Sequence, residues 1–226
     1  MARIKGVFFD WVGTVARPEP DRHMGIYLAA KKLGYELPIE KLSRSVYKAE
    51  NEVMDGMPGA WREAKEEAPF LKWWDIVLAD TGIELPKEIK LEITKIIASS
   101  VRNLRWVLYE DVTSVLESLK NMGYRLGVIS NLYAGRALLD LLLDLAVTAE
   151  DVGAKKPNPL IFSAALKQAR VKAEDSIYVG DQYEIDVVGA RNAGIRPLLI
   201  DRYDVVLPNE TDCPVIRSFE EIFNYI

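Results

Sequence analysis

The sequence predicts an α/β protein with a doubly wound parallel-sheet (Rossmann-like) core, into which an all-helical domain is inserted. Residues 1–16 and 100–226 alternate short apolar strands with amphipathic helices. Near-continuous apolar strands between helices are typical of a parallel sheet that is covered on both faces. Residues 17–99 instead place apolar residues at helical spacing, as in "KLEITKII". We therefore expect an α/β core in two chain segments and a helical domain between them.

The elements of the predicted core are separated by residues that cap or end helices. In chain order they are strand 6–10, helix 111–123, strand 124–131, helix 134–145, strand 146–153, helix 158–171, strand 176–181, helix 186–194, strand 196–201 and helix 218–226. Asp111 and Asn158 stand where an N-cap is expected, and Pro159 occupies a first helical position. Glycines 123 and 194 follow the last periodic residues of two helices.

Four helices are predicted in residues 17–99, in "DRHMGIYLAAKKLG", "PIEKLSRSVYKAENEVMDG", "APFLKWWDIVLADTG" and "PKEIKLEITKIIASSV". Glycine and proline separate them. This four-helix bundle would join the core through linkers near residues 16–19 and 99–109. Two such connections suit a hinged cap over a site. We expect Trp61, Trp73, Trp74, Tyr27 and Tyr47 to lie mostly in the core of the bundle.

The composition argues against several classes of function. The chain has 226 residues and a formal net charge of −5, without a block of Lys and Arg, so we expect no nucleic-acid partner. No apolar run is long enough for a membrane span, and we expect a cytoplasmic protein, either a monomer or a homodimer. One cysteine and one histidine, His23, leave no zinc cluster. A bound metal would be a hard cation with oxygen ligands.

Polar residues follow the predicted strands at the edge where doubly wound sheets bind their ligands. In chain order they are Asp10, Gly13 and Thr14; Ser130 and Asn131; Lys155 and Lys156; Asp181, Glu184 and Asp186; and Asp201 and Arg202. Each of them alone is more often a turn, cap or solvated loop residue. Chemically complementary groups at several strand ends of one sheet indicate a catalytic site.

These groups suit phosphoryl transfer. Asp10 and Asp181 would repel each other when both are ionised, and a Mg²⁺ ion between them would remove that penalty. Ser130 and Asn131 could donate hydrogen bonds to phosphoryl oxygens, and Lys156 could offset the charge of nucleophile and phosphate. Such positioning and electrostatics supply most of what phosphoryl transfer needs.

The order of four motifs resembles that of the haloacid-dehalogenase-like (HAD) superfamily of hydrolases. The family pattern D-x-D-G-T corresponds to "DWVGT", the Ser or Thr after a strand to "VISN", the lysine motif to "KKPNP" and the Gly-Asp motif to "GDQYEID". The resemblance spans the whole chain, including a helical cap between the first two motifs. It implies a Mg²⁺-dependent hydrolase that acts through an aspartyl intermediate.

The resemblance also implies a role for each matched residue. Asp10 would be the nucleophile and one metal ligand. The backbone carbonyl of Val12 and the side chain of Asp181 would be further ligands, and Asp186 would be a ligand through water or would support the other ligands. Among the other matched or neighbouring residues, Ser130, Asn131 and Lys156 would bind the phosphoryl group, and Gly13, Thr14 and Arg17 are candidates for substrate binding.

Val12 departs from the family pattern, in which phosphatases usually carry an Asp that serves as general acid and base. A 2-haloacid dehalogenase needs no such proton, but those enzymes dispense with the metal and typically lack the Gly-Asp motif. A phosphonoacetaldehyde hydrolase carries Asp-Trp-Ala-Gly-Thr and needs a Schiff-base lysine, for which Lys48 is the candidate. A phosphatase that takes its proton from water or from the cap is the interpretation we favour. A non-catalytic binding module is the remaining alternative.

A closing cap would leave little room for a substrate. We therefore expect a small phosphorylated metabolite, such as phosphoglycolate, a triose phosphate or a small sugar phosphate.

Overall fold

The computed structural model describes residues 3–53, 68–100, 105–132, 142–206 and 211–226. The chain divides into two units, one of Met1–Arg17 with Trp106–Ile226 and the other of Pro18–Arg105. The role of the second unit as a cap stays a prediction.

The first unit is built on a parallel sheet. The strands of the described residues, from both units, are β1 (Gly6–Phe9), β2 (Ala16–Glu19), β3 (Arg105–Leu108), β4 (Arg125–Ser130), β5 (Leu145–Thr148), β6 (Ser176–Gly180), β7 (Arg196–Ile200) and β8 (Val215–Ile216). Among the described residues, six of them form one sheet in the order β5-β4-β1-β6-β7-β8, with every pair parallel. A separate sheet pairs β2 with β3. The order of the large sheet reverses at β1, and ligands of such sheets bind at the carboxyl end of that position.

The helices of the structure are α1 (Arg22–Lys32), α2 (Ile39–Val53), α3 (Ala68–Ala79), α4 (Lys87–Ser100), α5 (Val112–Asn121), α6 (Ala149–Val152), α7 (Pro159–Ala169) and α8 (Val188–Asn192). Shorter turns are 3₁₀-helical at Ala173–Asp175 and Phe219–Asn224, and π-helical at Tyr183–Val187. No described helix combines the length and the apolar character that a membrane span requires.

Both faces of the large sheet are buried, which explains its apolar strands. Val7 and Phe9 of β1 pack into one core cluster together with residues of α5, and Phe8 between them packs into another with residues of α7. All three side chains are fully buried. Successive side chains of a strand point to opposite faces, so helices on both sides require an apolar residue at every position. The predicted doubly wound core is confirmed.

Several predicted boundaries are wrong for local reasons. The predicted strand 146–153 ends at Thr148, because the Thr148 hydroxyl accepts the Asp151 amide (3.1 Å) and begins α6. The predicted helix 218–226 is 3₁₀-helical, and the one at 186–194 begins earlier, with the π-helical turn. The predicted helix 134–145 falls mostly outside the described residues, and Leu145 begins β5. Short apolar runs do not distinguish such alternatives.

In the described part of the second unit, α1 to α4 share one apolar core. Trp73 and Trp74 are fully buried and meet edge to face, with ring centroids 5.2 Å apart. The Trp74 indole N–H donates to Thr94 Oγ1 (3.0 Å), which satisfies its polar atom. The expectation that these two tryptophans lie in the bundle core is confirmed, whereas Trp61 lies outside the described residues.

Candidate active site

Three carboxylates meet at the carboxyl edge of the large sheet. Asp10 follows β1, and its amide donates to the Val179 carbonyl of β6 (2.8 Å). Asp181 and Asp186 follow β6. Each carboxylate offers an oxygen within 4.8 Å of the other two, and all three residues are buried. Within the described ranges this is the one group of side chains placed to share a metal ion. The structure thus brings together the three predicted acidic ligands.

Lys156 places one positive charge among these carboxylates. Its Nζ donates to Asp10 Oδ1 (2.5 Å), to Asp186 Oδ1 (2.6 Å) and to the Tyr178 hydroxyl (2.9 Å). These contacts use all three N–H groups of the ammonium. Three carboxylates and one ammonium leave two negative charges in excess when all are ionised. A divalent cation with oxygen ligands would balance them.

Burial and neighbouring charges together set the protonation of Asp10 and Lys156. Loss of hydration raises the pKa of Asp10 to about 6; the nearby Lys156 charge opposes this rise, and Asp186 adds to it. Burial alone would lower the pKa of Lys156, but Asp10 and Asp186 outweigh burial and raise it above its usual value. Lys156 is therefore protonated at neutral pH. A bound cation would lower the pKa of Asp10 and favour its ionised form.

Tyr178 lies at the centre of this network, although the sequence analysis did not single it out. Its hydroxyl lies 3.0 Å from the Ile129 carbonyl and 3.1 Å from Asp186 Oδ1, while it accepts from Lys156. Burial raises its pKa well above the usual value, so the phenol stays neutral. A phenol oxygen in the middle of the apolar strand "SIYVG" is the signal that could have identified it, because a buried hydroxyl needs a partner.

Two glycines allow the acidic side chains to approach the backbone. Gly13 has a φ of +83°, and a Cβ there would lie 2.3 Å from Asp181 Oδ2. A Cβ on Gly180 would lie 2.3 Å from Asp186 Cγ. The buried Thr14 hydroxyl is 3.4 Å from Asp181 Oδ1. Gly13 and Thr14 therefore contact a predicted metal ligand, and their predicted contact with substrate stays a prediction.

Ser130 and Asn131 hold the backbone around the site. Ser130 Oγ donates to the Leu132 carbonyl (2.7 Å). Asn131 contacts Lys156 twice, since its Oδ1 accepts the Lys156 amide (2.7 Å) and its Nδ2 donates to the Lys156 carbonyl (3.2 Å). This pair of bonds fixes the backbone that carries the ammonium. The predicted contacts of Ser130 and Asn131 with phosphoryl oxygens stay a prediction.

Val12 offers no acid or base at the position of the family aspartate. Its side chain is partly buried against the core cluster, and its backbone forms a bridge with Ala16. The guanidinium of Arg17 lies 5.9 Å from the centre of the Tyr109 ring. The Val12 carbonyl as a ligand and Arg17 as a substrate contact remain predictions.

Asp201 has a structural role. Its carboxylate accepts the amides of Val205 (3.0 Å) and Val206 (2.7 Å) and pairs with Arg217 Nη1 (3.2 Å). These contacts shape the loop after β7, so this strand-end acid does not join the three-carboxylate cluster.

The parallel sheet and the buried acid–lysine cluster define an α/β protein with a carboxylate at the end of its central strand. A family model described as haloacid dehalogenase-like hydrolase matches residues 4–194. The chain belongs to this family, as the four motifs predicted.

The proteins that this chain resembles are named for more than one activity. Glyceraldehyde 3-phosphate phosphatase from Methanothermobacter thermautotrophicus is 36% identical over 127 residues, which are 50% of this chain and 56% of the relative. The chain spans about half to three fifths of the length of the first curated relatives it matches.

Among solved structures, a 2-haloacid dehalogenase from Pseudomonas syringae is 25% identical, with a TM-score of 0.57 over 98% of this chain and 97% of that one. A predicted phosphoglycolate phosphatase from Haemophilus somnus is 20% identical, with a TM-score of 0.61 over 99% of this chain and 98% of that one. This second likeness shows the fold alone.

Proposed function

We propose that the chain is a Mg²⁺-dependent phosphatase that hydrolyses small phosphorylated metabolites through an aspartyl-phosphate intermediate. The observation that carries this proposal is the meeting of three buried carboxylates, each with an oxygen within 4.8 Å of the other two, beside the ammonium of Lys156. The donor set fits a hard divalent cation, because all of the clustered acidic groups are carboxylates. Asp10, Asp181 and Asp186 would hold it, together with the Val12 carbonyl. When bound, Mg²⁺ would neutralise the cluster and polarise phosphoryl oxygens.

The residues of the chain divide the chemistry among them. A carboxylate oxygen of Asp10 attacks phosphorus, so that an O–P bond forms while the ester O–P bond breaks and the leaving alkoxide takes a proton. Lys156 holds Asp10 in place and offsets the charge of the phosphoryl group. Water then hydrolyses the aspartyl phosphate, releasing inorganic phosphate and restoring Asp10.

The proton for the leaving group comes from water or from another residue, since valine has none to give. Losing a positioned general acid typically slows such a step by about 10²–10⁴-fold. The proposed enzyme should therefore prefer esters with good leaving groups. Triose phosphates are the first metabolites to test, because the name of a relative mentions glyceraldehyde 3-phosphate. Phosphoglycolate is tested beside them as a second small phosphorylated metabolite.

The dehalogenase alternative is supported by the structural likeness at 25% identity. Carboxylate attack on a carbon–halogen bond, however, gives no use for Asp181 and leaves the excess charge unbalanced. The phosphonatase alternative requires a desolvated lysine. Lys48 is exposed on α2 with its Nζ 3.9 Å from Glu52 Oε1, so it does not meet that requirement.

A substrate panel tests the proposal. The full chain is assayed with p-nitrophenyl phosphate, glyceraldehyde 3-phosphate, phosphoglycolate, phosphonoacetaldehyde and 2-chloropropionate, with Mg²⁺ or with EDTA. We expect hydrolysis of the phosphate esters with Mg²⁺, none in EDTA and none with Asp10→Asn. Asp204→Asn is the matched control, since Asp204 has an exposed side chain after β7. Halide release that persists in EDTA would replace the proposal with dehalogenation.

A further inference from the structure

We propose that Arg202 is a positioning residue that holds the loop between Trp11 and Ala16 against the acidic cluster. The catalytic consequence of this inference rests on the proposed function.

The guanidinium of Arg202 clamps one carbonyl of the loop. Its Nε (3.1 Å) and Nη2 (2.8 Å) both donate to the Thr14 carbonyl. The third contact runs from Nη1 to Asp111 Oδ2 (3.1 Å), and the same oxygen accepts the Phe219 amide (2.9 Å). Asp111 was predicted to cap α5, but its side chain makes no capping bond. It instead joins Arg202 to the C-terminal segment.

Packing fixes the guanidinium in this orientation. Its central carbon lies over the Tyr109 ring, 3.8 Å from the ring centre, and its side chain is 8% exposed. A guanidinium that makes two bonds to one carbonyl while it lies over a ring has no equivalent in lysine. Because Asp111 pairs with the charge, we assign Arg202 a geometric rather than an electrostatic role.

The clamped loop leads directly to the acidic cluster. The amides of Val15 (3.0 Å) and Ala16 (2.9 Å) both donate to the Trp11 carbonyl, which makes the loop tight. Gly13 lies against Asp181, and the Thr14 hydroxyl is 3.4 Å from the same carboxylate. A shift of the Thr14 carbonyl would thus move the backbone next to Asp10 relative to Asp181.

Hydrogen exchange tests the clamp without depending on activity. In Arg202→Lys, amides of residues 11–16 should exchange faster than in the wild type, while amides of α7 should keep their rates. Arg196→Lys, an exposed arginine at the start of β7, should change neither segment. Unchanged exchange in residues 11–16, or a uniform rise across the first unit, would overturn the proposal. Arg202→Gln gives the same comparison if Arg202→Lys does not fold.

Metal binding and kinetics connect the clamp to the site. Mg²⁺ affinity, measured by calorimetry on the full chain without substrate, should weaken by about 10–100-fold in Arg202→Lys, as for other residues that support a metal site. The kcat for p-nitrophenyl phosphate should fall by a similar factor, with little change in KM. The inference would be overturned if Arg202→Lys had the same Mg²⁺ affinity and the same kcat as the wild type. A wild type that binds Mg²⁺ but hydrolyses no phosphate ester would refute the proposed function and leave the clamp supported by exchange and affinity.

Discussion

Replacing Tyr178 by phenylalanine removes a single oxygen from the centre of the site. The ring can stay where it is, edge to face with Phe162 at 5.2 Å between centroids. The Lys156 ammonium loses one of its three acceptors, and the Ile129 carbonyl and Asp186 lose the proton that the phenol offers them. The variant therefore tests whether orientation of the ammonium matters to the reaction.

The expected size follows from the loss of one hydrogen bond to a charged group. Such a bond contributes about 1.5–3 kcal/mol, and each 1.36 kcal/mol is tenfold in rate. If the bond acts in the transition state, kcat should fall by roughly 10- to 150-fold, while KM changes little. If it acts only in folding, the free energy of unfolding should fall by about 1.5–3 kcal/mol at unchanged kcat.

Steady-state hydrolysis of p-nitrophenyl phosphate at saturating Mg²⁺ and urea unfolding on the same preparation measure both effects. Tyr124→Phe is the matched control. This tyrosine is partly buried against a core cluster of the same unit, and its hydroxyl makes no hydrogen bond to another described residue. A Tyr178→Phe variant with reduced stability and wild-type kcat would refute the view that the phenol orients Lys156.

Three further changes test other parts of the site. Gly13→Ala and Gly34→Ala both place a Cβ at a positive φ (+83° and +86°) and should each cost about 1–2 kcal/mol of stability. Only Gly13→Ala meets Asp181, so it alone should lose Mg²⁺ binding by calorimetry; equal binding in both would contradict the close contact. Val12→Asp should raise kcat for alkyl phosphates more than for p-nitrophenyl phosphate, by up to about 10²–10⁴-fold; a uniform change would place the proton donor elsewhere. The raised pKa of Asp10, about 6 against 3.8, means that the folded state holds a proton that the unfolded state has released. The metal-free chain should thus lose stability as pH rises from about 4 to about 6, and Asp10→Asn should remove that part of the slope in urea unfolding.

The sequence was sufficient to predict the edge of the sheet where the site lies. Parallel strands align their carboxyl ends, so Asp10 and Asp181 were expected at one edge of the sheet. That they meet follows from the pairing of β1 with β6, which the strand assignment alone does not give. The pairing of Lys156 with Asp186 does not follow from that alignment, because it depends on the π-helical turn at Tyr183–Val187, which no periodicity indicates. Tyr178 was missed because it lies in the middle of a mostly apolar strand, where an aromatic residue is expected in the core.

Side-chain direction accounts for the other differences between the predicted contacts and those in the structure. Ser130 and Asn131 stand at the predicted strand end, but their side chains bond to backbone groups of Leu132 and Lys156. Sequence spacing can place a residue at the carboxyl edge of the sheet. It does not determine which neighbouring group the hydroxyl or amide of that residue hydrogen-bonds. Asp111 shows the same limit, since it occupies the N-cap position of α5 and bonds to Arg202 instead.

The full engagement of the Lys156 ammonium has a consequence for ligand binding. Each N–H of the Lys156 ammonium already donates to an oxygen of Asp10, Asp186 or Tyr178. A phosphoryl oxygen of a ligand can therefore accept a hydrogen bond from Lys156 only if it replaces one of these three acceptors. Binding of a phosphoryl group by Lys156 would thus exchange one hydrogen-bond acceptor for another. The number of hydrogen bonds made by Lys156 would not increase. For the proposed phosphatase, discrimination between phosphate esters would then have to come from contacts to the rest of the substrate.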